Sequence, residues 1–354
     1  MDETSQPQAS THTSNVTEAF TALALQLKCQ GVNRARNREE ARSTIRKTIE
    51  SLSPQLAAAR AFIGDDCRLV LLPEHWLAGF PIQESFAEWA DKACLTMDDP
   101  LYEALGAIAR EQNIFLAGDA YELDPNFPRL YFQNCFVFAP SGEMVLRYRR
   151  INSTLTPTPH DVWDEYLERY GIEGVFPVAE TEIGNLAILP ADEILFPEVA
   201  RCLTLRGAEI LLHPTSEVSG DAPLEAAKIA RAVENTVYLV SSNTAGIANT
   251  PIPEASVDGG SKIVDYRGLV VAQTGSGESM AAYGEIDLAA LRRYRRRPGP
   301  KNLLSRQRLE VYAQLYRQSS IYPANTMLEG NIERNHFRQH QQVAMERMRN
   351  LGIL

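Results

Sequence analysis

NLAILPADEILFPEVARCLTLRGAEILLHPTSE, residues 185–217, changes its hydrophobic period twice. A short apolar run of strand length stops at Pro190, and Ala191, Asp192 and Glu193 follow as a polar turn. FPEVARCLTLRG then carries apolar residues at helical spacing, and EILLHPTS returns to a continuous run of strand length. The unit is strand, turn, helix, strand. Acids just ahead of a helix suit its positive end, so Asp192 and Glu193 are expected to cap the helix that starts near Phe196.

The same alternation extends outward. Upstream, FTALALQLKC (20–29) reads as a strand, and the charged segment 36–60 has helical spacing at Ala41, Ile45, Ile49 and Leu52. RLVLLPE (68–74) and IFLAGDAYEL (114–123) are further strands, while YFQNCFVFAP and EMVLRYRR form a hairpin closed at Ser141-Gly142. A second hairpin turns at Ile183-Gly184-Asn185. Downstream, LEAAKIARAVEN is a helix, and TVYLVSSNTAG, SKIVDYRG, LVVAQTG and AAYGEID are strands, with Asp265 and Gly268 suited to a hairpin turn. Regular alternation excludes an all-β protein, and adjacent hairpins exclude a purely parallel sheet. A mixed α/β domain follows, with two sheets between helix layers.

Composition narrows the function classes. A net charge of -10 over 354 residues argues against a nucleic-acid binder, which needs a dominant basic face. The cluster from Arg292 to Lys301 is therefore read as a solvated helix end. No apolar run approaches the ~18 residues of a membrane helix, and the polar first 18 residues read as a disordered leader without a secretory signal. A cytoplasmic location is expected. Cys29, Cys67, Cys94, Cys135 and Cys202 form no CxxC pair, so they read as small buried hydrophobes and not as a metal or disulfide set. Gly275-Ser276-Gly277 lies between strands and reads as a turn, so no cofactor is implied.

Three blocks at strand ends carry candidate chemistry, as open α/β sheets place ligands there. LLPEHWLAGFP (71–81) sets Glu74 after an apolar strand, where an acid is either paired or used. LRYRRINS (146–153) offers Arg150, although Arg149 and Arg150 also read as surface cations on an edge strand. The third block is 185–217 itself. Between the last two, STLTPTPHDVWDEYLERYG offers His160, Asp161, Trp163 and Glu165 as a pocket lid or as a plain surface helix.

Together these blocks resemble the nitrilase, or carbon-nitrogen hydrolase, superfamily over residues 20–305, with Pro73, Gly79 and Phe80 around Glu74 matching well. The resemblance implies a four-layer α-β-β-α sandwich and hydrolysis of a small amide, nitrile or carbamoyl compound. It assigns Glu74 as general base and places Arg150 where the family has an oxyanion-stabilising lysine. Counting back from Phe196-Pro197-Glu198, the position of the nucleophilic cysteine reads Ala191. A methyl group cannot form the thioester. Cys202, about three turns further on, is expected to face the core.

Arg150 beside Glu74 is expected to lock the acid into an ion pair and lower its pKa. The catalytic set implied is thus Glu74, Arg150 and Ala191, with His160, Asp192 and Glu193 as binding candidates and a second family glutamate unplaced. Arg231, Glu234, Asn235 and Asn243 are read as structural partners. Three functions follow: a hydrolase impaired in covalent turnover, a pseudoenzyme that binds a small polar ligand or a partner protein, or other chemistry with Glu74 as base. The expected organisation is a domain over 19–304 and a C-terminal helical arm over 305–354 that supports a homo-oligomer.

Overall fold

The computed structural model describes residues 17–328 and 333–354; the leader reading falls largely on residues outside these. Two mixed sheets lie face to face. The first runs β15 (Tyr283–Asp287), β1 (Ala19–Ala24), β3 (Cys67–Leu71), β5 (Phe115–Leu123), β6 (Tyr131–Phe138), β7 (Met144–Arg149), with β4 (Leu95–Thr96) also paired to β5. The second runs β14 (Val270–Gln273), β13 (Lys262–Val264), β11 (Tyr238–Asn243), β10 (Ile210–Thr215), β9 (Gly184–Ile188), β8 (Ala179–Thr181). A small pair joins β2 (Cys29–Gln30) to β12 (Ile247–Ala248). Each large sheet has a parallel centre, β1-β3-β5 or β9-β10-β11, and antiparallel edges. All three expected hairpins are present, β6–β7, β8–β9 and β13–β14, the second turning at Glu182-Ile183 because Gly184 and Asn185 already belong to β9.

Side-chain alternation explains the layers. Leu69, Leu71, Phe115, Ala117, Cys135 and Val137 point into the core shared with Leu186, Ile188, Ile210 and Leu212 of the other sheet. Leu23, Val70, Leu116 and Phe136 point the other way, onto Ile45, Ile49 and Leu52 of helix α1 (Arg38–Ile63) and Leu105 and Ile108 of α3 (Pro100–Glu111). Both faces are dry, so the strands read as nearly continuous apolar runs. Asn37 caps α1 by accepting from the Glu40 N–H. Helix α2 (Phe86–Ala93) starts in a reciprocal Ser85–Glu88 cap. On the far side lie α5 (Pro197–Leu205) and α6 (Ala222–Asn235).

Two surface readings are corrected. Arg149 is buried between Glu122 and Asp124, at 3.2 and 2.6 Å, and its guanidinium lies over the Phe132 ring. Arg150 is buried as well. Strand alternation cannot separate a wet face from a dry one when residues 153–176 cover it, as α4 (Trp163–Val175) does here. The Arg292–Lys301 cluster begins in α7 (Leu288–Arg296), where Arg292 forks onto Glu209 and Arg295 donates to the Thr236 and Ala208 carbonyls. Arg293, Arg296, Arg297 and Lys301 are exposed, in keeping with a solvated helix end, and Arg292 and Arg295 are the two that turn back onto the domain.

The C-terminal segment splits into α8 (Leu309–Gln318), which buries none of its residues, and α9 (Asn335–Asn350). Between them the chain folds back over the 160s: the Asn325 and Met327 N–H groups donate to the His160 and Asp161 carbonyls, and Thr326 donates to the Asp161 carboxylate. Phe337 of α9 is buried against this segment. No helix among the described residues is long and apolar enough to cross a membrane.

Candidate functional site

The turn at 190–195 is built from main-chain constraint. Ala191 sits at φ 53, a left-handed conformation that costs a residue with a Cβ on the order of 1 kcal/mol. Its carbonyl is held by His213, whose Nε2 lies 2.8 Å away, while the His213 Nδ1 lies 2.8 Å from the Ser241 hydroxyl. A carbonyl only accepts, so Nε2 donates. Burial keeps the imidazole neutral, taking the His213 pKa down to about 3. Arg231 of α6 donates to the Ile194 carbonyl, which fixes the other end of the turn.

The two acids of the turn go in opposite directions. Glu193 is buried and accepts from the Tyr148 hydroxyl and from the Ile151 and Asn152 N–H groups, each at 2.7 Å. It ties the turn to the end of β7. Asp192 is half exposed and pairs with the Arg150 guanidinium. Neither caps α5, whose N-cap residue, Phe196, makes no side-chain bond. The capping expectation fails because buried and cationic partners across the site compete better than the helix end.

Glu74 follows β3 and is almost wholly buried. Its Oε1 accepts from the Gln133 amide at 2.8 Å and lies 3.6 Å from an Arg150 nitrogen. Arg150 is pinned by three other bonds, to the Asn152 carbonyl at 2.7 Å, to the Gln133 Oε1 at 2.9 Å and to Asp192. The ion pair does not lower the acid's pKa. Burial raises it to about 8 despite Arg150, and Asp119 adds to the rise. Desolvation of a nearly inaccessible carboxylate outweighs one guanidinium that is shared.

A cleft of about 700 Å³ opens beside this centre, lined by Ser153, His160, Asp192, Phe196, Tyr322 and Gln341 among others. It brings His160 and Asp192 together under the C-terminal segment. Asp192 and Asn152 both line the cleft and bond the Arg150 guanidinium. Two buried thiols adjoin this centre. Cys29 Sγ lies 3.3 Å from the Glu74 main-chain oxygen and 3.1 Å from the Thr244 hydroxyl; Cys135 is enclosed between the sheets. Burial pushes both well up, so neither is a thiolate. Cys202 is half-buried on α5 and not in the core, a correction to the sequence reading.

This frame matches the carbon-nitrogen hydrolase family model across residues 24–296. The chain belongs to the carbon-nitrogen hydrolase family. Its members hydrolyse carbon–nitrogen bonds other than peptide bonds. Among curated relatives, nitrilase homolog 2 of Dictyostelium discoideum is 27% identical over 63% of this chain and 66% of its own length. Omega-amidase NIT2 of Xenopus tropicalis is 28% identical over 63% and 78%. Among solved structures, Saccharomyces cerevisiae Nit3 superposes with a TM-score of 0.63 at 19% identity, covering 80% of this chain and 95% of that one. The cysteine-to-alanine variant of the amidase from Nesterenkonia sp. AN1, in complex with butyramide, superposes at 0.56 and 20% identity, covering 85% and 97%.

Several site groups of this family member escape a sequence reading. Asp119 and Gln133 sit mid-strand, yet the Gln133 amide reaches both Glu74 and Asp119. His75 packs its ring at a tilt against Phe80, with Nε2 3.5 Å from Glu74, and burial takes its pKa down to about 3. The usable signal was polarity inside an apolar run: Asp119 in FLAGDAYEL and His213 in ILLHPT.

Proposed function

We propose that this hydrolase homologue holds a small amide, nitrile or carbamoyl compound between Glu74, Arg150 and the Ala191 turn without carrying it through a thioester. Ala191 stands, in this reading, at the nucleophile position; Glu74 is the acid-base group, Arg150 replaces the family lysine, and His160 and Asp192 line the approach. The observation that carries the reading is Ala191 itself: a strained φ of 53 is kept at the turn beside Arg150 and Asp192, where the side chain is only a methyl. Support also comes from a fold neighbour, since an alanine variant of the Nesterenkonia amidase was crystallised with butyramide.

The test is calorimetry with butyramide and a panel of small amides and nitriles, run beside an ammonia assay. Saturable binding with no ammonia is expected. Steady ammonia release by the unaltered chain overturns the impairment, and the absence of binding across the panel overturns the ligand site.

A homo-oligomer is part of the same proposal. Val311, Tyr312 and Leu315 of α8 are exposed, and Tyr316 donates to Glu198 of α5, so one apolar strip adjoins the helix beside the turn. A second copy would cover it. Light scattering at micromolar concentration is expected to exceed the 39.4 kDa of one chain; a monomer-sized signal rejects the idea.

A further inference from the structure

Glu74 is not the site's only buried acid. Asp119 of β5 is equally enclosed; its Oδ1 accepts from the His75 N–H at 2.9 Å and its Oδ2 from the Gln133 amide at 3.2 Å. One amide nitrogen therefore bridges two carboxyl groups. Among the described residues, Arg150 is the one permanent cation within 4.0 Å of either, and it reaches Glu74 alone. Its hydrogen bonds go to Asn152, Gln133 and Asp192.

The remaining neighbours offer no second positive charge. His75 is neutral between the two acids, with Nδ1 4.0 Å from Asp119. Tyr121 shares β5, Cys135 and Gln133 lie on β6, Tyr148 on β7, and Asp192 and Glu193 come from the facing turn. Cys29 backs onto the Glu74 main chain. Two adjacent buried carboxylates with one shared guanidinium leave a negative charge uncompensated, and retaining a proton is the cheapest relief.

We propose that Asp119 is a positioning residue that holds one proton jointly with Glu74 at neutral pH, while its bonds to Gln133 and the His75 main chain fix where the Glu74 carboxyl stands. Burial pressing both acids toward neutrality, Asp119 to about 7, is consistent with this arrangement. The consequence is chemical: near neutrality Glu74 can offer a hydrogen as well as accept one. A ligand amide would then meet a donor beside Arg150 at its carbonyl oxygen. The inference builds on Glu74 as the acid-base group of the proposed function, but its test reads protonation in the ligand-free protein. Failure of amide binding leaves it standing, and its own failure leaves amide binding open.

The experiment is a carbon-13 NMR titration of side-chain carboxyl groups in the full chain, with the Glu74 signal assigned by its loss in Glu74→Gln. Asp119→Asn keeps the shape and the acceptor for His75 but removes the charge, and the Glu74 midpoint is expected to fall by about one pH unit or more. Asp119→Ala, which also removes the acceptor, controls for structure, with thermal melts showing that each variant folds. An unmoved Glu74 midpoint in folded Asp119→Asn overturns the proposal. So does a midpoint displaced only in Asp119→Ala.

Discussion

Replacing Ala191 by cysteine is expected to give ammonia release from small amides where the unaltered chain gives none. The substitution adds one sulfur atom to a Cβ already held by the left-handed turn and by His213 on its carbonyl. On the proposed assignment the thiolate attacks the amide carbon, the C–N bond breaks, ammonia departs with a proton delivered through Glu74, and water then cleaves the thioester. Removing a nucleophile from a hydrolase costs on the order of 10⁶ in turnover. Recovery of even a small part is therefore measurable.

Arg150 limits how much returns. Hydrogen bonds to Asn152 and Gln133 and the Asp192 pair pin its fork, so it cannot turn toward a developing oxyanion as a lone ammonium could. Adding Arg150→Lys to Ala191→Cys should raise the rate further, while lowering stability by about 1–3 kcal/mol for the bonds lysine cannot replace. Mass spectrometry should find an acyl adduct on residue 191. A variant pair that melts like the parent yet yields neither ammonia nor adduct across the panel would sink the assignment of Ala191.

How much of this was visible in the sequence depends on which physical signal each residue leaves. The sheets were legible because both faces are dry: Leu69 to Leu71 and Phe115 to Ala117 alternate between two cores and leave unbroken apolar runs. The turn after Pro190 was legible as punctuation. Direction of burial was not. Arg149 and Arg150 look like surface cations because the cover over β7 arrives from α4 and the C-terminal segment, which no local period announces. The fate of Asp192 and Glu193 was likewise non-local, since Arg150 and Tyr148 lie more than forty residues away in sequence. Pairing Glu74 with Arg150 was foreseeable, but the sign of its pKa shift required knowing how completely the carboxylate is enclosed and how many other groups claim the guanidinium.

That sign has a consequence for stability. Glu74 titrates near 8 in the folded chain against 4.5 for an open glutamate, and Asp119 near 7 against 3.8. The folded state then keeps protons that the unfolded chain has released, so these acids make stability fall as pH rises through that interval. His75 and His213 act oppositely, being held near 3 against 6.5: the unfolded chain binds the extra protons, and stability rises with pH until about 6.5. Between pH 4 and 6.5 the two pairs largely offset. Above 6.5 the histidines have nothing left to give, and the carboxyl pair, joined by Glu193 whose pKa burial also raises, sets the slope until the buried thiols begin to matter near 9.

Urea unfolding at pH 6.5, 7.2 and 8.0 should therefore show a decline approaching about 1.4 kcal/mol per pH unit for each proton withheld. Glu74→Gln should flatten it. A wild-type curve that is level or rising over this range would mean that the two acids are already ionised in the folded chain, and that Arg150 compensates more charge than its bonding geometry allows.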